Sequence, residues 1–257
     1  MTIAALDEDF HVHSAFSDDA TSTVADNVRA AAARGLRTVC LADHVRRDTT
    51  WVPEMAAAVQ ACRGPTGVRD GVRVLAGVEA KILDRAGHLD LPGCLDGIDL
   101  VLIADHQFPG EDGPVHPDRV RAAIDARELT AADAVEQLCE ATGHALGATD
   151  RGKLLAHLFS LLPKMGLDEV MVPAPLLARL AGQVAASGAL VEINEKWSCP
   201  SARTVAALVR AGVRVVAGSD AHHCRDVGVY RSVTLTAGQL AGPLAPGSRV
   251  AGNGAAW

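Results

Sequence analysis

Seven short apolar or β-branched runs recur along the chain, at Phe10–His13, Arg37–Ala42, Val72–Val78, Asp99–Ala104, Lys153–Ala156, Ala189–Ile193 and Val213–Gly218. Between most of them lie Ala/Leu-rich stretches of helical length. Strands that alternate with helices predict a parallel sheet covered by helices. The stretch Val24–Arg34 follows the capping-type residues Thr21, Ser22 and Thr23 and ends at Gly35, while Thr204–Arg210 ends close to Gly212. Each run is followed by polar residues, and seven such units predict a closed or nearly closed α/β barrel. A dinucleotide-binding sheet is disfavoured, because the first run is not followed by G-x-G-x-x-G. A length of 257 residues suits a single barrel.

The residues that close these runs are of one chemical kind. The first carries His11 and His13, which share a face because strand residues two apart point the same way. The second leads into Asp43-His44, the third into Glu79, the fourth into Asp105-His106 and the fifth into His157. The sixth carries Glu192 and Asn194, and the seventh leads to Asp220 and His222. In a barrel the C-terminal strand ends converge on one face, where active sites form. Any one of these residues could be an ordinary loop residue or helix cap. Six of the ten histidines stand at strand ends, and His is not a preferred cap, so capping does not explain the set. Neighbouring buried carboxylates repel unless something positive lies among them. Divalent cations supply that charge, and mixed N/O ligands suit zinc, manganese or iron.

Charge and composition narrow the substrate. The net charge is −7 with no Lys/Arg-rich run, which argues against steering of a long nucleic acid. A small phosphorylated molecule needs only a few local cations. The six cysteines include no C-x-x-C pair and are read as reduced thiols of a cytoplasmic protein. Met1–Asp9 has no leader-like pattern, and no uninterrupted apolar run of membrane-spanning length is present, so neither a signal peptide nor a membrane span is expected.

The order D-F-H-V-H-S-x-x-S-D, A-D-H, G-V-E, D-H, A-H, E-I-N and G-S-D-A-H, from Asp9 to about Gly228, resembles the PHP (polymerase and histidinol phosphatase) superfamily. The stand-alone histidinol-phosphatase-like members are the most similar in wording, as are the PHP domains attached to family X polymerases. The resemblance implies a distorted (β/α)7 TIM-like barrel in one domain, over residues 1–235. Residues 236–257, rich in Gly, Ala and Pro, are expected to form a tail or a final wrap.

The resemblance also implies two or three divalent ions. His11, His13, Glu79 and Asp220 would hold the first. Glu79, as a bridge, would hold the second with His106 and His157. The third would take His44, His222 and either Asp18 or Asp19. The chain departs from common family wording at Ala104-Asp105-His106, where Ser-x-His is frequent, and at His157-Leu158, where His-Pro is frequent. The ligands survive both changes, but the pocket is reshaped.

The expected activity is hydrolysis of a small phosphomonoester, histidinol-phosphatase-like, by a water that two cations bridge and deprotonate. Glu79, Asp220, His222 and Arg225 are the expected catalytic set, with Asp220 or His222 able to move protons. Lys196 and Arg225 are the expected substrate contacts; Arg46, Arg47 and Lys164 are further loop cations. Trp51 is a candidate lid or core residue. His223 and Cys224 stand beside the site without a needed role, and His88, His116 and His144 are read as surface or core histidines. The alternatives are a phosphodiesterase or exonuclease, a hydrolase of carboxylic esters or amides, and a non-catalytic metal-binding module.

Overall fold

A computed structural model describes residues 6–64 and 67–241. Seven strands pair in chain order: β1 (Glu8–Val12), β2 (Thr38–Val45), β3 (Val72–Lys81), β4 (Leu100–Ala104), β5 (Gly152–Ala156), β6 (Leu190–Asn194) and β7 (Val215–Gly218). Every neighbouring pair on this path is parallel. All seven expected strands are present, with ends moved by up to three residues. β2 and β3 run on past the expected ends, so His44 and Glu79 lie inside strands.

The sheet curls until β7 meets β1. There the Asp220 N–H donates to the His11 carbonyl at 2.8 Å, and the His13 N–H donates to the Ala221 carbonyl at 2.9 Å. Asp9, fully buried, staples this seam. Its carboxylate accepts the N–H groups of Ser219 (2.9 Å), Gly228 (2.8 Å) and His11 (3.3 Å). Burial pushes its pKa up to about 6, and those donors restrain the rise. The result is the expected nearly closed α/β barrel.

Helices α1 (Val24–Ala33), α2 (Val52–Cys62), α3 (Pro117–Asp125), α4 (Ala131–Ala145), α5 (Ala174–Ser187), α6 (Ala202–Arg210) and α7 (Ser232–Ala241) fill the connections. Thr23 closes a full capping box with Asp26 at the start of α1, and Ser201 caps α6. α7 runs across the expected boundary at residue 236, and the rest of the expected tail, 242–257, lies outside the described residues. Two short antiparallel pairings add to the expected elements: Val68–Arg69 beside β3, and Phe108–Pro109 with Pro114–Val115.

Strand alternation sorts the side chains into two apolar layers. Val74, Ala76, Val78 and Ala80 of β3 face the helices, as do Val101 and Ile103 of β4. The barrel interior holds a smaller set that includes Cys40, Ala42, Leu100, Leu102, Leu154 and Val216. Small residues allow the strands to come together there: a Cβ on Gly77 would sit 2.8 Å from the Cys40 sulfur. Following the inward face of β2 and β3 upward, the next residues are His44 and Glu79.

Candidate metal centre

Glu79 lies at the middle of the site, 1 % exposed on its side chain, with five imidazoles around it. Its Oε1 is 3.0 Å from His106 Nε2 and 2.8 Å from His157 Nε2. Its Oε2 is 2.8 Å from His44 Nδ1, 3.4 Å from His11 Nε2 and 3.6 Å from His13 Nε2. Despite this crowd Oε2 is buried and makes no hydrogen bond of standard geometry, although His44 Nδ1 lies 2.8 Å away. A buried carboxylate oxygen left without a bond is costly, which makes this atom a place for a cation.

Local structure aims each imidazole. The β1–β2 register shifts between Asp9 and Val12, and this bulge turns His11 and His13 into the barrel mouth. The far nitrogen of His11, Nδ1, faces the Glu192 carboxylate at 3.1 and 3.2 Å. His13 Nδ1 lies 3.3 Å from Ser17 Oγ, whose own proton goes to Asp43 at 2.8 Å. Both Nδ1 atoms are thus placed to donate, and the two Nε2 atoms then meet lone pair to lone pair at 3.0 Å. Only a shared proton or a metal ion makes that contact favourable. His157 repeats the arrangement, with Nδ1 on Asp105 at 3.2 Å and Nε2 on Glu79.

The electrostatics describe a charge cluster balanced by protons where cations would sit. Burial alone would push His11 down, but Glu192, Glu79 and Asp220 hold it well above the usual imidazole range. Burial wins at its neighbour His13, pushed down to about 3. At His157 burial is outweighed by Asp105 and Glu79, and the pKa is pushed up to about 10. Glu79 is held well below the carboxylate range: burial would raise it, and His106 and His11 more than reverse that. Asp220 is lowered in the same way by His11 and His13.

The donor atoms fall into three groups. The first is His11 Nε2, His13 Nε2, Glu79 Oε2 and Asp220 Oδ1, with Asp220 at 3.3 Å from His13. The second is Glu79 Oε1, His106 Nε2 and His157 Nε2. The third is Asp19 Oδ2, His44 Nε2 at 3.7 Å and His222 Nε2 at 3.2 Å. Ligand bonds of 2.0–2.1 Å give tetrahedral edges of about 3.3 Å, and the donor pairs named above, at 2.8–3.7 Å, lie around that spacing. Imidazole and carboxylate donors with ordinary spacing fit borderline divalent ions.

The residues named for these groups from the sequence meet at the barrel mouth, where the tightest clusters of ligand atoms are His11–His13–Glu79, His44–Glu79–His106 and His13–His44–His222. Asp19, and not Asp18, faces His222 and His44; Asp18 is exposed and lines the neighbouring cavity. Lys196 Nζ lies 3.5 Å from Asp220 Oδ1 and 3.3 Å from His222 Nε2. Arg225 does not meet the expectation placed on it. Its side chain is 75 % exposed and turned toward Asp226 at 3.5 Å, because the chain enters a short 3-10 turn at Cys224. Arg231 lines a cavity of about 550 Å³ beside Lys196, Asp220 and His222 instead. Eleven residues beyond Asp220, it carries no sequence signal of its own.

Trp51 stands half-buried against Phe16, ring centres 5.3 Å apart, in the wall of a cavity of about 640 Å³ that also includes Arg46, Lys81, His44 and His106. A space of about 260 Å³ lies directly over Glu79, His157 and Asp220, flanked by Lys196 and Trp197. Lys164 sits over the Trp197 ring, 3.9 Å from its centre. Arg47 is exposed, and its backbone N–H donates to Asp90. His223 caps the short turn and Cys224 is half-buried beside it. His88, His116 and His144 are exposed and bind Asp84, the α3 N-terminus and the Arg85 carbonyl.

The sequence pattern of the PHP domain matches residues 9–196, which spans the barrel from its first strand to just past the sixth. The chain belongs to the PHP domain family. Among its relatives is a "probable phosphatase" of Edwardsiella ictaluri (strain 93-146), 31% identical, over 86% of this chain and 81% of that one. A "probable phosphatase" of Thermoanaerobacter sp. (strain X514) is 27% identical over the same shares. In fold the PHP chain is similar to the histidinol phosphate phosphatase of Lactococcus lactis subsp. lactis Il1403, solved with zinc, L-histidinol and phosphate. That likeness has a TM-score of 0.63 at 14% identity, over 91% of this chain and 93% of that one.

Proposed function

We propose that this PHP chain is a metal-dependent phosphatase of a small phosphomonoester. The observation that carries the reading is Glu79: a buried carboxylate with one unbonded oxygen, ringed by five imidazole nitrogens at 2.8–3.6 Å. His11, His13, Glu79 and Asp220 would hold one divalent ion, Glu79 with His106 and His157 a second, and Asp19 with His44 and His222 a third. Zinc, manganese or iron bound there would supply a nucleophilic water at neutral pH and neutralise phosphate oxygens. The names of its relatives and the zinc and phosphate of its Lactococcus lactis neighbour support the same class.

The chain's own side chains divide the remaining work. Lys196, beside Asp220 and His222, meets a phosphate oxygen in the space over Glu79. Arg231 lines the adjoining cavity beside Lys196, Asp220 and His222 and is a second cation for the substrate. His222 donates its Nδ1 proton to the Asp220 carbonyl at 2.9 Å, which leaves Nε2 for a ligand or a proton. The cavity beside Trp51, about 640 Å³, has the size of a small-metabolite site and receives the leaving group. A complete donor set argues against a non-catalytic module. No helix among the described residues is long and apolar enough to cross a membrane, and the six cysteines are unpaired thiols, which fits a reducing compartment such as the cytoplasm.

The test is a screen of phosphorylated metabolites on chelator-stripped protein, with zinc, manganese and iron returned separately. Hydrolysis of a monoester is expected only after an ion is restored. Undiminished hydrolysis by stripped protein contradicts the metal reading, and activity confined to diesters contradicts the monoester.

A further inference from the structure

Glu192 and Asn194 belong to none of the three donor groups, yet both are fully buried at the barrel mouth. We propose that this pair on β6 is a positioning device that sets the first and second ion sites together. The inference rests on the metal reading of Glu79 and its neighbours, and it concerns residues that bind no ion themselves.

Every partner of the Glu192 carboxylate is a donor. His11 Nδ1 stands at 3.1 Å from Oε2, the His157 backbone N–H at 2.9 Å from the same oxygen, and Asn194 Nδ2 at 2.9 Å from Oε1. A His11 that donates from Nδ1 must present its lone pair at Nε2, toward His13 and Glu79. The His157 backbone has φ +30°, a conformation that side-chain-bearing residues seldom adopt, and the bond to Glu192 anchors that peptide. The His157 ring is thereby carried to Glu79 Oε1.

Asn194, two residues along on the same face of β6, extends the device to Asp220. Its Oδ1 accepts the Trp197 N–H at 2.8 Å, which fixes the amide the other way round, with Nδ2 toward Glu192 and toward Asp220 Oδ2 at 3.3 Å. Space for the carboxylate comes from β7: a Cβ on Gly218 would lie 1.9 Å from Glu192 Oε1. The other buried supports are local. Among the imidazoles Asp105 faces the ring of His157 alone, and Asp43 touches none directly: it holds Ser17, whose Oγ lies beside His13 Nδ1 and accepts the His44 N–H. Glu192 alone among these carboxylates contacts ligands of two groups, His11 of the first and His157 of the second. It touches no member of the third.

The chemistry predicts which substitutions matter. Glutamine has one acceptor where Glu192 uses two, so Glu192→Gln sets an NH2 against a donor. Glu192→Asp keeps both acceptors one methylene short. The experiment is calorimetric titration of metal-free protein with Zn2+ alone, for the wild type, Glu192→Gln, Glu192→Asp and Asp105→Asn, with side-chain nitrogen NMR of His11 as a second readout. Loss of such supporting contacts costs about 10–100-fold in metal affinity. Glu192→Gln is expected to weaken two ions by that factor, spare the third and shift the His11 tautomer. Asp105→Asn is expected to weaken one. Glu192→Asp should recover part of the loss at both ions, and its own deficit at those two ions serves as the test if the Gln variant does not fold. Unchanged binding in the Glu192 variants, or weakening of a single ion, overturns the inference and leaves the metal reading standing. A wild type that takes up no zinc overturns both.

Discussion

The lower and upper halves of the barrel interior share one ring of parallel strands and differ in the side chains they carry. Below, Cys40, Ala42, Leu100, Leu102, Leu154 and Val216 form an apolar cluster. Above, near the C-terminal ends of the strands and just past them, stand His44, Glu79, His106, His157, Glu192 and Asp220. The first half is held by removal of apolar surface from water, which is non-directional and forgiving. The second loses hydration at every charge and recovers it only through fixed partners. The difference reads as a division of labour: the dry half and the outer helix layer carry stability, and the wet half is the one proposed to carry chemistry.

That division can be broken from below. Leu102 is fully buried in the dry half, and Leu102→Ala is expected to cost about 2–5 kcal/mol in denaturant unfolding. Zinc uptake by the protein that remains folded should be unchanged. A variant that loses ions while losing little stability would mean that the two halves are not separable. The smallest effect is expected outside both halves. Arg225 points into solvent, so Arg225→Ala should leave KM and kcat within error in steady-state assays of an active phosphoester. A raised KM would mean that the loop from Cys224 to Asp226 folds over the substrate.

The sequence discloses the two halves unequally. β-branched runs mark the strands because seven short parallel strands must be apolar on both faces. The donors are legible because His, Asp and Glu at successive strand ends have no common structural explanation. What the sequence hides depends on the third dimension. Asp18 and Asp19 differ by one step in a turn, and only the turn's geometry decides which meets His222. Arg225 is near His222 in sequence, but a 3-10 turn sends it outward. The bond between Glu192 and His11 joins residues 181 apart, and neither strand's pattern announces it. α3 and α4 both lie in the one connection after β4, a detail that alternation alone does not resolve.

The most direct test of the metal centre is Glu79→Ala, with bound zinc and phosphoester turnover measured on one preparation and circular dichroism as the folding control. Glu79 is the shared member of two donor groups, and a neutral imidazole cannot replace it because it offers one lone pair to one ion. The barrel should stay folded, since its core is aliphatic. Two ions should be lost or weakened, and turnover should fall by several orders of magnitude, more than in His44→Ala. A folded Glu79→Ala that keeps its full zinc content and near-native turnover would contradict the bridged metal centre.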